Sequence, residues 1–494
     1  MNLLHRLTSI PAAPGIRNFF FGRGVVTALL LATMLTACVQ PEADSPIDVT
    51  WADPGGRPLL VQNVSVFDSI TGQVLPNQDV LVRDAAIAAM GPAGSLAETE
   101  GAHVIAGQGA TLIPGLIDMH GHVMASTGPS WETATPNPED NLRAYAFAGV
   151  TTVFDPGDSS DEAYSRRQRV ADGELLGPRI FTAGRIITDP EGHPRSVVDA
   201  LAPWWIAWLL KPQVATGVSS AQEARAAVDE RADAGADAIK VAIDSIPLDA
   251  AIMPAEVLRA VVDQARQRKL RTVAHIGTTE DAIVTADSGA ALWVHGVYKE
   301  RIPDEMVAKL AAYGIPMVTT SEVFDRYGRA LQGPLVPTRL EQQMISRGKL
   351  ASFFPPPEDF DLGALQGWVE LMQQTREVRL DNVGRMHAAG VTILAGSDTQ
   401  SGVFPGAGLH RELVTLVAAG LSPSEALRAA TLSPARFLAE SADPDAGVIA
   451  VGKRADLVLV NGDPTQDIGA VSNIREVILN GRLLQRRAAN QGGN

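Results

Sequence analysis

Six side chains, far apart in the chain but each at the end of an apolar run, are of types that can grip a metal cation. They are His120 and His122 in Asp118-Met119-His120-Gly121-His122, Lys240 in Asp237-Ala238-Ile239-Lys240-Val241, His275, His295, and Asp398 in Gly396-Ser397-Asp398. Side chains alternate along a strand, so His120 and His122 point the same way, and two imidazoles at that spacing can share a cation. An HxH pair alone is a weak signal; it gains weight here because the other candidates also close predicted strands. Lys240 is the most informative of the six. Ile239, Val241 and Ile243 form one face, suited to packing against helices, while Ala238, Lys240 and Ala242 form the other. A lysine between two alanines inside a barrel faces open space, and a bare ammonium there is costly without a partner, which drives its pKa down. Two readings stay open: a neutral amine that adds carbon dioxide to become a carbamate bridging two cations, or a lysine paired with a nearby acid. Gly396, just before Asp398, allows close backbone approach.

The elements that must position these groups alternate between short apolar runs and longer amphipathic stretches, the rhythm of βα units and a parallel sheet. Eight strands are predicted, at 112–119, 150–154, 179–183, 236–243, 271–275, 291–295, 315–319 and 391–396. Helices are predicted at 220–234, 251–268, 278–288, 303–313 and 374–389. Eight such units fit a (β/α)8 TIM barrel over 111–440, where active sites sit at the C-terminal ends of the strands. A doubly wound sheet is the alternative, but no GxGxxG or Walker-type loop accompanies it. The connections 184–219, with Trp204, Trp205 and Trp208, and 320–373 are long enough to be lids or pocket walls; the Trp cluster reads equally as packing beneath an insertion. Short alternating strands at 59–110 and 441–494 predict a small β-sandwich domain built from both termini.

With 494 residues, 46% hydrophobic and 20% charged, the chain suits a globular protein of one large and one smaller domain. Its net charge of −15 argues against a nucleic-acid partner, which would need clustered Lys and Arg. Residues 1–23 carry Arg6, Arg17 and Arg23 and no acid, and a short apolar stretch from Gly24 to Ala37 precedes Cys38. That stretch is short for a membrane span but suits a signal peptide. Leu35-Thr36-Ala37-Cys38 resembles the bacterial lipobox, which implies a signal peptide over 1–38, lipidation of Cys38, a tether over 39–58 and a lipid-anchored place in the cell envelope on the extracytoplasmic side. Cys38 is the only cysteine, so any metal must be held without thiolate.

Together the motifs LIPGLIDMHGH (112–122), DAIKV (237–241), VAH (273–275), VHG (294–296), AGSD (395–398), GLHREL (408–413) and GKRADLVLVNGDP (452–464) resemble the amidohydrolase superfamily. Within it the resemblance is to the imidazolonepropionase-like and Xaa-Pro dipeptidase-like branch, and it covers the chain from about residue 59. It implies a metal-bearing (β/α)8 barrel beside a small β-sandwich. It also implies His120, His122 and Asp398 on one cation, His275 and His295 on the other, and Lys240 as a bridging carbamate. Two divalent cations, zinc by ligand type with manganese or cobalt as alternatives, would activate a shared water and polarise the substrate carbonyl. Asp398 would take the proton from the attacking water and pass it to the leaving nitrogen.

The expected reaction is therefore hydrolysis of a C–N bond in a small amide or peptide, by a dipeptidase or an N-acyl amino-acid hydrolase. Competing readings are a mononuclear imidazolonepropionase-type hydrolase of a cyclic amide, which would not need Lys240, and a lactonase or phosphotriesterase-type esterase. A lipid-anchored binding protein on an inactive barrel is the non-enzyme alternative. His193, Tyr298 and His410 are candidate substrate contacts, while Arg326, Arg329, Arg339 and Arg347 read mainly as solvated loop charge with a carboxylate contact as the alternative. His103 and His387 read as structural, and Ser346-Arg347-Gly348-Lys349 as a chance SxxK.

Overall fold

The apolar runs become a ring of eight parallel strands: Leu116–Asp118, Val150–Asp155, Arg179–Thr182, Ala238–Ala242, Arg271–His275, Leu292–Val294, Met317–Thr319 and Ile393–Ala395. The computed structural model describes residues 47–488 except 53, 97–98, 133–134 and 159–161, so the expected signal peptide 1–38, Cys38 and the first part of the predicted tether lie outside the described residues. Strands one to three pair in parallel, as do four to eight. A few hydrogen bonds join the two groups on either side. Asp237 N donates to Thr182 O at 2.9 Å, and Met119 N donates to Ala395 O at 3.0 Å.

The fourth strand divides its side chains as its sequence demands. Ile239, Val241 and Ile243 are buried in the layer between strands and helices, whereas Ala238 packs in the barrel interior with Ile117, Val273, Leu292, Val318 and Leu394. Lys240 lies on that inner face, in register with Val273, and Ala242 is in register with His275. Helices follow local signals. Ala221–Ala234 starts at Ser220, whose side chain accepts from Glu223 N, and stops at left-handed Gly235. Thr279–Ser288 opens with a Thr278/Asp281 capping box.

Three expectations need correction. The run 112–119 is two strands, not one. Ala110–Pro114 pairs with Leu457–Asn461 and Leu59–Asp68 in the terminal sheet, and only Leu116–Asp118 enters the barrel. Gly115 marks the break; a Cβ there would lie 2.2 Å from Thr151 Oγ1, so only glycine lets the chain pass. The second half of the predicted tether is also structured. Asp48–Trp51 pairs antiparallel with 484–487, because Ile47 and Val49 bury and Arg482 covers the Trp51 ring at 3.9 Å. Finally, the reading of the Trp cluster as packing beneath the insertion 184–219 fails, and the insertion itself is built of regular elements. It contains strands Ile186–Thr188 and Ala215–Gly217, paired with each other and set beside the fourth barrel strand, and helices Arg195–Leu201 and Trp204–Val214. Trp204, Trp205 and Trp208 are 87%, 52% and 70% exposed, so they do not pack beneath the insertion.

The terminal strands form one nine-stranded mixed sheet drawing on both ends of the described chain: eight strands follow one hydrogen-bonded path, and His103–Ala106 branches from it by pairing with Leu59–Asp68. Its core of Leu59, Val61, Val80, Leu112, Leu457 and Ile478 is distinct from that of the barrel. Register shifts within Leu59–Asp68 bend it.

Candidate metal centre

The first and last barrel strands are fastened together where their candidate ligands begin. Buried Asp118 accepts from His120 N and Ser397 N, each at 3.0 Å, and from Ser397 Oγ at 2.6 Å. Asp398 N then donates to His120 O at 2.6 Å. Gly396 makes this possible, since a Cβ there would lie 2.8 Å from His120 Cβ and 2.7 Å from Val318 Cγ1. Asp398 and His295 hold left-handed backbone, with φ of 51° and 78°. Such conformations are disfavoured for residues with a Cβ and persist only where the surroundings enforce them.

The donor atoms of the first expected ligand set converge. His120 Nε2 and His122 Nε2 are 3.2 Å apart, His122 Nε2 lies 3.2 Å from Asp398 Oδ1, and His120 Nε2 lies 3.6 Å from the same oxygen. Ligands about 2.0–2.1 Å from a tetrahedral zinc stand about 3.3–3.4 Å from one another. The spacing therefore fits a single cation. His295 joins the group, because donor atoms of His120, His295 and Asp398 lie within 4.8 Å of one another. The His275 and His295 ring centroids are 4.1 Å apart, and those of His120 and His295 are 4.8 Å apart.

Most of these rings are aimed by a partner on their other side. Asp155 Oδ1 lies 3.5 Å from His122 Nδ1, Asp244 Oδ2 lies 3.0 Å from His275 Nε2, and Thr320 Oγ1 lies 2.7 Å from His295 Nδ1. Such partners fix ring orientation and raise ligand basicity. Asp155, Asp244 and Thr320 were not singled out in the sequence, though each ends a strand or follows one within two residues. Asp244 also accepts from the Tyr298 hydroxyl and pairs with the Lys299 ammonium.

Electrostatics reflect donors crowded together out of water. Burial pushes His120 and His295 well below the ordinary histidine value, with the Lys240 charge adding to it at His120 and the neighbouring His275 and His120 at His295, and burial lowers His275. His122 goes the other way: burial opposes its charge, but hydrogen bonds to Asp155 and Asp398 lift it to about 10. Those carboxylates favour positive charge where a cation would bind. Burial lowers Lys240 to about 7, against the pull of Asp398.

The donor set fits a divalent cation on a second ground. Lys240 Nζ and His120 Nδ1 are buried with no hydrogen-bond partner among the described residues, a state that proteins rarely tolerate for polar atoms with no further role. The reading of Lys240 as paired to a nearby acid therefore has no contact to support it.

Of the three candidate substrate contacts, His193 is brought to the group, its ring 4.9 Å from that of His275 and its Nδ1 buried without a partner. Tyr298 stacks on Phe324 at 4.0 Å and is tied to Asp244, beside the centre. His410 is not brought to it. Its place on the buried face of helix Ala407–Ala418 puts Nε2 2.8 Å from the Ala148 carbonyl oxygen, where it pins that helix to the start of the second strand.

Comparison with known proteins agrees with this geometry. An adenine deaminase of Gluconobacter oxydans is 29% identical over 125 residues, which cover 25% of this chain and 18% of that protein. A dihydroorotase of Halalkalibacterium halodurans is 42% identical over 94 residues, covering 19% of this chain and 20% of that protein. The chain thus spans about a fifth or less of the length of these curated relatives. Solved structures match over far more. A prolidase complexed with N-methylphosphonate-L-proline is 25% identical with a TM-score of 0.69, covering 87% of this chain and 100% of that one. A putative prolidase from Bifidobacterium longum is 26% identical with a TM-score of 0.64, covering 87% and 94%. Residues 111–484, about three quarters of the sequence and all six convergent side chains, match the amidohydrolase family, and the chain belongs to it.

Proposed function

We propose that this protein hydrolyses a C–N bond in a small amide or peptide with two divalent cations, zinc being the metal best suited to the donors. His120, His122 and Asp398 would hold one, His275 and His295 the other, and Lys240, as a carbamate, would bridge them. The observation that carries this reading is the partnerless Lys240 amine on the inner barrel face, lowered to about 7 among four imidazoles and Asp398. A neutral lysine nitrogen adds to carbon dioxide and loses a proton, leaving a carbamate anion that satisfies the buried atom. Bound cations would lower the pKa of a shared water and polarise the scissile carbonyl.

The chain's own residues supply the remaining tasks. Asp398 accepts a proton from the attacking water and returns it to the leaving nitrogen, and Gln400 Nε2, donating to Asp398 Oδ1 at 3.1 Å, holds the carboxylate in place. His193, free at Nδ1 and next to His275, is placed to hydrogen-bond the substrate carbonyl. Tyr298, Phe324 and Trp368 pack together as an apolar wall that keeps water from that side. The prolidases among the similar structures favour a dipeptide or N-acyl amino acid as substrate. We place the enzyme at the bacterial envelope through a lipid on Cys38.

Assaying the metal-loaded protein on dipeptides and N-acyl amino acids beside matched esters tests the reading, with metal content measured in parallel. Amide turnover with near two metals per chain is expected. Turnover of esters alone, or full activity with a single metal, would refute it.

A further inference from the structure

A separate cavity of about 180 Å³ opens beside the Asp398 loop. A cavity of about 150 Å³ can take a benzene ring. Its apolar walls include Trp131, Leu335 and Phe353, and four arginines line it: Arg326, Arg329, Arg376 and Arg411. Helix Ser321–Arg329, which starts one residue after Thr320 at the metal centre, supplies Glu322, Asp325, Arg326 and Arg329 at helical spacing on one face. Side chains on a helix lean toward its N-terminus, and Arg326 leans back toward Glu322, one turn earlier. Its stem runs past Gly402, where a Cβ would meet Arg326 Cδ at 3.4 Å. Tyr327 lines the cavity, near enough to Asp398 to feel its charge and hydrogen-bonded to Ser401.

Two of the four arginines are already committed. Arg411 binds Glu341 through two nitrogens, at 2.7 and 2.5 Å, and Arg376 Nε donates to Asp325 Oδ2 at 2.8 Å. Arg326 is not. Its Nε is buried without a hydrogen-bond partner among the described residues, and its nearest acid, Glu322, is 4.0 Å away. Burial raises the Glu322 carboxyl, which weakens it as a counter-charge. Arg329 stands at the rim, so the lining carries an excess of positive charge over Glu322. A planar guanidinium with a free buried donor is a receptor for a carboxylate.

We propose that this cavity is a carboxylate subsite, in which Arg326, backed by Arg329, receives the carboxylate of an otherwise apolar substrate while the apolar walls take its body. The inference rests on the hydrolytic reading only in naming the bound molecule a substrate. It deepens that reading by restricting the substrate to anionic amides.

The test is calorimetric binding of 3-phenylpropanoate and of 3-phenylpropanol, a neutral probe of similar shape, to the metal-loaded full chain. The wild type should bind the carboxylate at least about tenfold more tightly than the alcohol, as charge-assisted hydrogen bonding implies. Arg326→Gln should erase that preference while alcohol binding stays, and Arg326→Lys should restore part of it. Equal preference in wild type and Arg326→Gln would overturn the proposal. So would parallel loss of both probes, or carboxylate binding that disappears on chelation yet survives Arg326→Gln. Because no turnover is needed, an inactive protein that shows the preference retains the subsite and loses only the hydrolase reading, and an active one without it loses only the subsite.

Discussion

Replacing Lys240 with methionine should make the metal-free protein more stable while abolishing its ability to load metal. Folding lowers the ammonium from an ordinary 10.5 to about 7, chiefly through burial. At about 1.4 kcal/mol per tenfold change in acidity, the ceiling on that penalty is about 5 kcal/mol. Below pH 7 the lysine is charged in both folded and unfolded chains, so folding bears the full penalty. Between pH 7 and 10.5 the folded state sheds the proton first and stability recovers; above 10.5 both states are neutral and nothing remains. Methionine matches the stem in volume without bringing charge. Urea unfolding of chelator-stripped protein, degassed of carbon dioxide, should therefore show Lys240→Met gaining a few kcal/mol at pH 6.5 and much less at pH 10, with metal content after reloading well below wild type. If Lys240→Met instead loses stability at pH 6.5, the lysine is a structural ion-pair partner and the reasoning fails.

Asp398→Asn should lower kcat by about a hundredfold or more, as loss of a general base does, with a smaller drop in bound metal; equal turnover would remove the proton-transfer role. Asp244→Ala leaves the buried Lys299 ammonium unpaired and frees both His275 and Tyr298. A loss of about 3–5 kcal/mol in denaturant unfolding is expected, and a loss under 1 kcal/mol would show that Asp244 holds nothing together. Glu412, buried at the end of the Glu322 backbone amide's hydrogen bond, is raised by burial from 4.5 to about 7. Its folded form keeps the proton longer, so its stability contribution is complete below pH 4.5 and lost as pH rises through 7, a change of about 3 kcal/mol at most. Glu412→Gln should flatten that fall in unfolding free energy, and an unchanged pH profile would contradict it.

Five of the six convergent side chains were legible because each closes an apolar run, and a parallel barrel carries such ends to one rim; Lys240, in the middle of Ala238–Ala242, was legible as the one charge on an otherwise small inner face. The alternation around Lys240 named its inner and outer faces correctly, and Gly396 marked a close approach that the structure contains. The partners that aim the rings were less legible. Asp244 falls one residue beyond the predicted strand, and an acid in that position looks like loop charge until its contacts to His275 and Tyr298 are seen. The divided run at 112–119 was hidden because Ala110–Pro114 and Leu116–Asp118 are equally apolar, and what separates them is the Thr151 side chain, 35 residues or more away in sequence. His410 shared a stretch with the recognisable motif, yet its helical phase turned it toward Ala148. Arg326 and Arg347 look alike in sequence, but the first is drawn in beneath the Asp398 loop while the second remains in solvent.

The fastening of Asp118 to Ser397 spans 279 residues. During synthesis, Lys240, His275 and His295 emerge well before Asp398, but His120 and His122 gain their shared carboxylate only when the eighth strand docks against the first. In the proposed two-cation centre, capture at that half would thus wait for the ring to be complete. An unfinished or C-terminally shortened chain would leave its early histidines without the oxygen that draws them into a chelate, and tight metal uptake would itself report that folding had finished.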